Sequence, residues 1–298
     1  MGTTRPASLS PIPTFVNPGA GSAADVARAL ADDEHFDVRE VEPARLQSAL
    51  RSAIAAGARR VAVAGGDGTI CAAAAVLART PVELAVIPAG TLNHFARYLG
   101  LPMDLHDAAR VAIDGGVRCV DVGSANGHVM LNTSSVGAYV TFVRTRERFE
   151  RYLPYVVASF IAFVRILIRL RTFRVIVDID GEPRAYSTPL VFVGVGEREL
   201  GIPMLGGRIA GGRRGLHVLV VRGKRRTQLL LRGVAIAARG LPTLPRRAQT
   251  GIDSFIVDRC RIELPRRRGS VGVDGEIVPM MAPLEYRIAY DALNVVVP

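Results

Sequence analysis

The chain has 298 residues and a mass of 31.9 kDa, which fits two domains of ordinary size or one large domain. Hydrophobic residues make up 49% and charged residues 22% of the sequence, so a disordered or fibrous chain is excluded. The net charge of +11 predicts an anionic partner: a phosphorylated ligand, a nucleic acid or an acidic membrane surface. Because its three cysteines are widely spaced, they indicate neither a disulfide framework nor a metal-binding pattern.

The N-terminal residues lack the apolar segment of a secretory signal, so we expect a cytoplasmic protein. The best candidate for a membrane span is the apolar run YLPYVVASFIAFVRILIRL (152–170). Arg165 and Arg169 interrupt it, whereas a span needs about 20 largely uncharged residues. The run therefore predicts a helix that does not cross a membrane.

The first 120 residues alternate between strand and helix patterns, with strands expected at 12–16, 36–41, 61–64 and 82–87. This alternation predicts right-handed crossovers and a parallel sheet, in which ligands bind beyond the carboxyl ends of the strands. Three glycine-bearing loops lie at those ends, and we expect them to converge on one site. They are NPGAGS (17–22), GGDGT (65–69) and PAGT (88–91).

After about residue 120, short β-rich runs such as LHVLVV (216–221) and FIVDRCRIEL (255–264) dominate. They predict an antiparallel second domain with two helical insertions, at about 139–170 and 226–240. The last run, LNVVVP, is expected to return to the first domain. We therefore assign residues 1–124, with about 290–298, to an α/β domain and residues 125–289 to a β-rich domain.

The loop GGDGT carries the strongest chemical signal. Its glycines allow the backbone to approach an anion, and the N–H groups at the start of the following helix can face phosphates. Asp67 would be repelled by bare phosphate, so we predict that it holds Mg²⁺ through water or helps to deprotonate a nucleophile. An ordinary glycine-rich turn with a capping aspartate is the alternative interpretation. The GxxxxGK[ST] pattern does not occur, which excludes a Walker-type nucleotide site.

The segment PAGTLNHFAR (88–97) is the second signal. Thr91 is predicted to cap a helix, while Gly90 keeps the backbone open at the same edge of the sheet. Asn93 and His94 would then lie in the first helical turn and face the phosphates. For His94, a ligand contact and a structural role are both open.

GGDGT followed by PAGTLNHFARYLGLP resembles the diacylglycerol kinase catalytic-domain superfamily, in the bacterial lipid kinase branch that is related to sphingosine kinases. NAD kinases and phosphofructokinases share GGDG but not the second motif. Four further segments resemble elements of the family in chain order. They are NPGAG (17–21), DVG (121–123), LNTSSVGAYV (131–140) and VDGE (273–276).

The resemblance implies an N-terminal parallel-sheet nucleotide-binding domain and a C-terminal antiparallel β-sandwich domain for the lipid acceptor. It implies transfer of the γ-phosphoryl group of ATP to a lipid hydroxyl. Asp67 and Asp121 would organise Mg²⁺, Asp67 would also serve catalysis, and Glu276 would be the general base. The residues implied to hold nucleotide are Asn17, Gly65, Gly66, Asp67, Gly68, Thr69, Gly90, Thr91 and Asn93.

The sequence departs from the family pattern at four places. Gly19 stands where a polar or lysine residue is frequent, His94 where Asp is frequent, and Val195 interrupts a VGNG element. Arg214 stands where the resemblance expects a ligand carboxylate, so we predict no bound Mg²⁺ or Ca²⁺ beside residues 212–217. Two alternatives stay open: a kinase of a soluble acceptor, as in NAD kinase, and a catalytically silent lipid-binding protein of the same fold.

The tripeptide Asp-Gly-Glu occurs twice, at 180–182 and at 274–276, so the motif alone does not identify the base. The first copy lies between alternating runs and predicts a β-hairpin with Glu182 exposed at its tip. The second copy follows GSVGV (269–273), which we interpret as a flexible approach that brings Glu276 near the cleft. Glu276 is therefore the predicted base.

The helix predicted within 152–170 is either a core helix or a segment that lines a lipid pocket and contacts anionic headgroups through Arg165, Arg169 and Arg171. We accordingly expect peripheral association with the inner face of the membrane. Nucleic acid binding is not expected, because the sequence contains no recognised module and only 6% aromatic residues. The identity of the lipid and the formation of a homodimer are left open.

Overall fold

The computed structural model describes residues 10–154, 157–158, 160–162, 164–165, 172–199, 207–222 and 251–298. The chain divides into two compact units, which are residues 1–122 with 290–298 and residues 123–289. Two strands, Gly116–Ala125 and Leu284–Val297, run from one unit into the other. The C-terminal segment of the chain is therefore part of the first unit.

The first unit alternates strands and helices along the chain. Its described elements are β1 (Ile12–Val16), α1 (Ala23–Ala31), β2 (Phe36–Glu40), α2 (Pro43–Ala55), β3 (Arg60–Gly65), α3 (Asp67–Leu77), β4 (Glu83–Pro88), α4 (His94–Leu99), α5 (Leu105–Asp114), β5 (Gly116–Ala125) and the end of β16 (Leu284–Val297).

The sheet of the first unit has the strand order β2-β1-β3-β4-β16, and each of these neighbouring pairs is parallel. Residues 61–64 of the central strand β3 are all fully buried, as expected for a parallel strand that is covered on both faces. Val26 and Leu30 of α1 pack with Ala62 and Ala64 in one hydrophobic cluster. The α/β architecture predicted for this half of the chain is confirmed.

The second unit consists mainly of antiparallel strands. Its described elements are β6 (His128–Met130), β7 (Thr133–Gly137), α6 (Ala138–Glu150), β8 (Phe173–Ile179), β9 (Glu182–Thr188), β10 (Leu190–Val195), β11 (Leu216–Val221), β12 (Ile252–Val257), β13 (Arg259–Glu263), β14 (Arg268–Val273), β15 (Glu276–Met281) and the first part of β16.

These strands form two antiparallel layers with a shared core. One layer has the order β12-β11-β10-β7-β14-β15, and the other contains β16, β13, β8 and β9. Val193 and Val218 of the first layer belong to the same buried cluster as Val177 and Tyr286 of the second. The hydroxyls of Ser134 and Tyr286 also lie 3.0 Å apart across this core. The predicted antiparallel sandwich is confirmed.

Two predictions about the second unit need correction or restriction. The sequence predicts FIVDRCRIEL as a single run, but the chain leaves one layer after Val257 and enters the other at Arg259, so the run forms two strands. Helix α6 begins at Ala138, close to the start of the first predicted insertion, and ends at Glu150. The second predicted helical insertion, at 226–240, lies outside the described residues.

Part of the apolar run 152–170 is described. Residues 157–158, 160–162 and 164–165 are helical, and in this helix Ala158 and Ala162 are fully buried whereas Phe160 is 65% exposed. Among the residues that the structure describes, no helix combines the length and the hydropathy that a membrane crossing needs.

Candidate active site

Three loops of the first unit meet at the carboxyl ends of β1, β3 and β4. The Asn17 backbone N–H donates to the Ala64 carbonyl at 3.0 Å, and the Asn17 side-chain amide donates to Oγ1 of Thr69 at 2.8 Å. The Ser22 backbone N–H donates to the Ala89 carbonyl at 3.3 Å. The three loops that the sequence analysis expected to converge are therefore joined by hydrogen bonds.

Glycines allow two of these loops to touch through their backbones. Strands β3 and β4 pair Gly65 with Pro88, which brings the following loops to the same level. A Cβ atom at Gly90 would lie 2.5 Å from Cα of Gly66, a distance that packed atoms do not tolerate. A Cβ at Gly65 would lie 2.6 Å from Cβ of Thr69. Close approach thus explains the glycines at two of the predicted nucleotide-binding positions, Gly65 and Gly90.

Helix α3 begins at Asp67, directly after the N-cap residue Gly66, which has no side chain with which to cap it. The first N–H groups of a helix have no partner within that helix, and they carry the positive end of its dipole. The buried, apolar β3 fixes the place where this helix starts. The predicted residues Gly68 and Thr69 belong to this first turn, which is suited to bind an anion.

The Asp67 carboxylate caps a different helix. Its oxygens accept the backbone N–H groups of His94 and Phe95, each at 3.0 Å, at the start of α4. Thr91 was predicted to cap this helix, but it is exposed and lies three residues before the first helical residue, so that prediction is wrong. A capping aspartate was one interpretation of GGDGT, and the structure places that cap across two loops.

Asn93 closes the second loop on itself. Its backbone is left-handed, with φ of 49°. Its side-chain oxygen accepts the Gly90 N–H at 3.0 Å, and its amide donates to the Gly90 carbonyl at 2.7 Å. Asn93 therefore shapes the loop with the same polar atoms that the sequence analysis assigned to nucleotide. His94 is exposed, and its backbone N–H makes the contact to Asp67.

Asp121 lies in β5 and is only 4% exposed. Its Oδ1 accepts the backbone N–H of Asp291 at 3.1 Å, in the C-terminal segment that belongs to the same unit. Asp291 has a positive φ of 47°, so this carboxylate supports an unusual backbone turn within β16. Among the described residues, no group of three or more His, Cys, Asp or Glu side chains is placed to hold a metal without other ligands.

Both copies of Asp-Gly-Glu form the same structure in the second unit. In the first copy Ile179 pairs with Glu182, and in the second Val273 pairs with Glu276, so each turn contains only Asp and Gly. All four turn residues have positive φ, between 46° and 94°, as in tight β-hairpins. The hairpin predicted for the first copy is confirmed, whereas the flexible approach predicted for the second is wrong.

The two hairpins differ in what holds the turn. In the first, Oδ1 of Asp178 accepts the Gly181 N–H at 2.8 Å. In the second, the Asp274 carboxylate accepts the N–H groups of Leu131, Asn132 and Thr133 at 2.7–2.9 Å. Glu276 follows this turn and is exposed. Asp274 belongs to the repeated tripeptide, but no local pattern in the sequence indicates that its carboxylate binds residues 131–133.

Buried arginine and histidine side chains lie near residues 212–217. Arg198, which is 7% exposed, donates its N–H to Nδ1 of His217 and its guanidinium to the Asn132 carbonyl. Burial lowers the pKa of His217, and the charges of Arg198 and Arg213 act in the same direction. The Glu197 carboxylate accepts the Arg213 N–H at 2.9 Å. The Glu197 carboxylate therefore has a partner within this loop.

Comparison with known proteins finds a family model and several curated relatives that are similar to part of this chain. Residues 12–125 match the family "Diacylglycerol kinase catalytic domain". A Pseudomonas syringae protein named "Probable lipid kinase YegS-like" is 38% identical over 138 residues, which cover 43% of this chain and 45% of that protein. A Mycobacterium tuberculosis protein named "Diacylglycerol kinase" is 33% identical over 192 residues, which cover 59% of this chain and 62% of that protein. The chain thus spans less than two thirds of the length of these curated relatives.

Solved structures share the fold. A Bacillus anthracis structure described as a diacylglycerol kinase matches with a TM-score of 0.68 and 20% identity, and the match covers 98% of both chains. A yeast NADH kinase matches more distantly, with a TM-score of 0.52 and 10% identity over 98% of this chain and 84% of that chain. At these identities the likeness concerns the fold alone. The sequence match is the stronger finding: residues 12–125 match the diacylglycerol kinase catalytic domain family, as the motifs of the chain predicted.

Proposed function

We propose that this protein is a lipid kinase that transfers the γ-phosphoryl group of ATP to a lipid hydroxyl. The observation that carries the proposal is the meeting of three glycine-bearing loops at one edge of a parallel sheet, where Gly66 and Gly90 touch through their backbones. Glycine-bearing loops beside a helix whose N-cap residue is itself a glycine are suited to phosphates, because amide groups can approach the anion closely. The family match over the same residues supports this assignment.

The proposed nucleotide site relies on backbone groups. The chain has a single lysine, Lys224, which is remote in sequence from the three loops. The first turn of α3 therefore supplies donors for the phosphates, and Asn17 and Thr69 hold the neighbouring loops in register through their hydrogen bond. Phosphoryl transfer needs positioning and charge neutralisation more than covalent chemistry from the protein.

The donor set at Asp67 fits Mg²⁺. Magnesium prefers oxygen ligands and usually binds through one or two carboxylates together with substrate phosphates. Asp67 offers a half-buried carboxylate whose two N–H partners leave further lone pairs open. We assign Asp67 to the metal, and Asp121 stays a second predicted ligand. When bound with ATP, Mg²⁺ would neutralise phosphate charge.

Glu276 is the proposed general base of the acceptor half of the reaction. Its carboxylate would take the proton of the lipid hydroxyl as the hydroxyl oxygen bonds to the γ-phosphorus and the bond to ADP breaks. Glu276 is exposed at the end of a tight turn, as a base that meets an external substrate must be. Glu182, at the equivalent place in the other hairpin, forms an ion pair with Arg184 at 2.9 Å.

The acceptor would be reached at an anionic membrane surface. Tyr152, Val157 and Phe160 of the second unit are 83%, 43% and 65% exposed. Arg151 and Arg165 flank them and are exposed as well. Apolar side chains flanked by arginines are typical of segments that lie in the interface of an anionic bilayer.

The experiment that tests the function is an assay of the purified chain with Mg²⁺ and ATP labelled in the γ-phosphoryl group. The acceptor panel contains diacylglycerol, a sphingoid base, another lipid alcohol and NAD. Label in a lipid product is the expected result. Label in the NAD product would instead identify a kinase of a soluble acceptor, and lipid binding without label in any product would identify a catalytically silent lipid-binding protein.

A further inference from the structure

The second Asp-Gly-Glu hairpin is fixed to the rest of its unit in a way that the first is not. Four hydrogen bonds connect its turn residue Asp274 to residues 131–133. The Asp274 carboxylate accepts three consecutive backbone N–H groups, and the Asp274 N–H donates to the Thr133 carbonyl at 2.8 Å. Hydrogen bonds to an ionised acceptor are stronger than neutral ones, so this contact holds the turn tightly.

Residues 131–133 are themselves held from the other side. The Asn132 carbonyl accepts the guanidinium of Arg198 at 2.6 Å and the Val195 N–H at 2.9 Å. Arg198 is nearly fully buried, and its own N–H donates to His217. The turn at Asp274 is therefore bound to a segment that neighbouring strands already hold.

This contact is not needed to form the hairpin. The hairpin at Asp180 has the same two-residue turn, the same left-handed backbone and a glutamate in the same place. There a neighbouring strand residue, Asp178, accepts the turn N–H, and that contact lies within the hairpin. What the Asp274 carboxylate adds is a fixed position of the hairpin tip relative to the strands around it.

We propose that Asp274 is a positioning residue for Glu276. This proposal rests on the proposed function, in which Glu276 is the base. The carboxylate of Asp274 fixes the turn, and Glu276 is the first residue of the strand that leaves the turn. A misplacement of about 1 Å at a reacting group can lower the rate on the order of a hundredfold. Asparagine would keep an acceptor for the N–H groups of Asn132 and Thr133 but would place its own amide N–H group against the Leu131 N–H, so the contact is weakened.

The test compares Asp274→Asn with the matched variant Asp180→Asn in the other hairpin. In Asp274→Asn we expect kcat to fall by about tenfold to a hundredfold, with KM for ATP unchanged. Amide hydrogen exchange of residues 131–133 should become faster in this variant. Asp180→Asn should change neither kcat nor the amide exchange of residues 131–133. If Asp274→Asn does not fold, Asp274→Gly replaces it, since glycine tolerates the positive φ of the turn.

A double variant separates positioning from general stability. If Asp274 acts through Glu276, Asp274→Asn adds no further loss of kcat to Glu276→Gln. Additive losses, or full activity of Asp274→Asn, would overturn the proposal. Unchanged amide exchange at residues 131–133 would overturn it as well. Absence of phosphoryl transfer by the unmodified protein would overturn the proposed function and the positioning role together, whereas loss of activity in Asp274→Asn alone leaves the function intact.

Discussion

The carboxylate of Asp67 accepts the backbone N–H of His94 at 3.0 Å, so the first turn of α3 and the start of α4 are fixed to each other. Asp67 thus combines a structural role with its proposed role at the metal. We expect Asp67→Asn to lower phosphoryl transfer by about a hundredfold or more, because the variant keeps the shape of the side chain but removes the charge. The measurement is the turnover of labelled ATP at saturating substrate.

Asp104 is the matched control for this variant. Its Oδ1 accepts the N–H groups of His106 and Asp107 at the start of α5, so Asp104→Asn also alters a helix cap. Loss of a cap costs about 1 kcal/mol of stability, and we expect both variants to show a loss of this size in thermal unfolding. If Asp67→Asn keeps the turnover of Asp104→Asn, Asp67 is a cap and no more.

Gly90→Ala should disrupt the contact between the two glycine loops. The new Cβ would lie 2.5 Å from Cα of Gly66, so the loops must move apart. We expect lower stability, by about 1–3 kcal/mol, and weaker binding of ATP in titration calorimetry. Gly116→Ala is the control, since a Cβ there meets nothing within 4 Å. Equal ATP affinity in the two variants would contradict a nucleotide site at these loops.

The two hairpin glutamates give a direct comparison. Glu276→Gln should lower turnover at least about a hundredfold, which is the usual scale for loss of general-base catalysis. Glu182→Gln should be nearly silent, since Glu182 forms an exposed ion pair with Arg184. Steady-state turnover on the lipid identified in the acceptor panel measures both. If the variants exchange behaviour, or if both are silent, Glu276 is not the base.

The sequence predicted the parallel half of the fold well because its central strands β3 and β4 carry continuous apolar runs and its edge strand β2 alternates. Strand β14 was missed because its glycines resemble a flexible linker. Gly272 in fact permits close packing, since a Cβ there would lie 2.8 Å from Oγ of Ser135, which would have to move. The sequence alone does not distinguish a glycine that permits close packing from a glycine that permits movement. The position of the neighbouring strand does.

The candidate site was likewise predictable from the sequence only in part. The loops and their glycines were predictable, because strand ends in a parallel sheet meet at one edge. The partners of the carboxylates were not, because Asp67 caps a helix that begins 27 residues later and Asp274 binds amides about 140 residues earlier. Rules for helix caps and turns are local in sequence, so they assigned the cap to Thr91 and gave Asp274 no role.

The buried His217 predicts how stability depends on pH. Burial lowers its pKa below the ordinary value of 6.5, while Glu197 opposes the shift and Arg198 and Arg213 reinforce it. The unfolded chain therefore binds a proton more readily than the folded chain, and stability falls as the pH drops below about 6.5 towards the folded pKa. In His217→Asn, thermal unfolding should lose part of this slope between pH 7.5 and 5.5.

His35 provides a control of opposite sign. Its hydrogen bond to Asp33 raises the pKa of this exposed imidazole, so the folded state favours the proton. The stabilisation that protonated His35 gives to the folded state is present at low pH and is lost as the pH rises through the folded pKa. His35→Asn should therefore not reduce the loss of stability on acidification. If His217→Asn and His35→Asn change the slope in the same direction, burial of His217 does not control the pH dependence.

The exposed apolar side chains of the second unit predict how the protein meets a lipid surface. Binding to vesicles should rise with the content of anionic lipid and fall with added salt, given the net charge of +11 and the exposed Arg151 and Arg165.

Phe160→Ser removes the apolar contact of a side chain that is 65% exposed, so it should weaken binding at every salt concentration. Ile176→Ser is the matched control, because Ile176 is 40% exposed on a strand of the same unit. Sedimentation with vesicles measures the effect of anionic lipid, the effect of salt and the effect of each substitution. Equal binding of both variants would show that Phe160 does not enter the bilayer. Equal binding of the unmodified protein to neutral vesicles at high salt would show that electrostatic attraction does not contribute to binding.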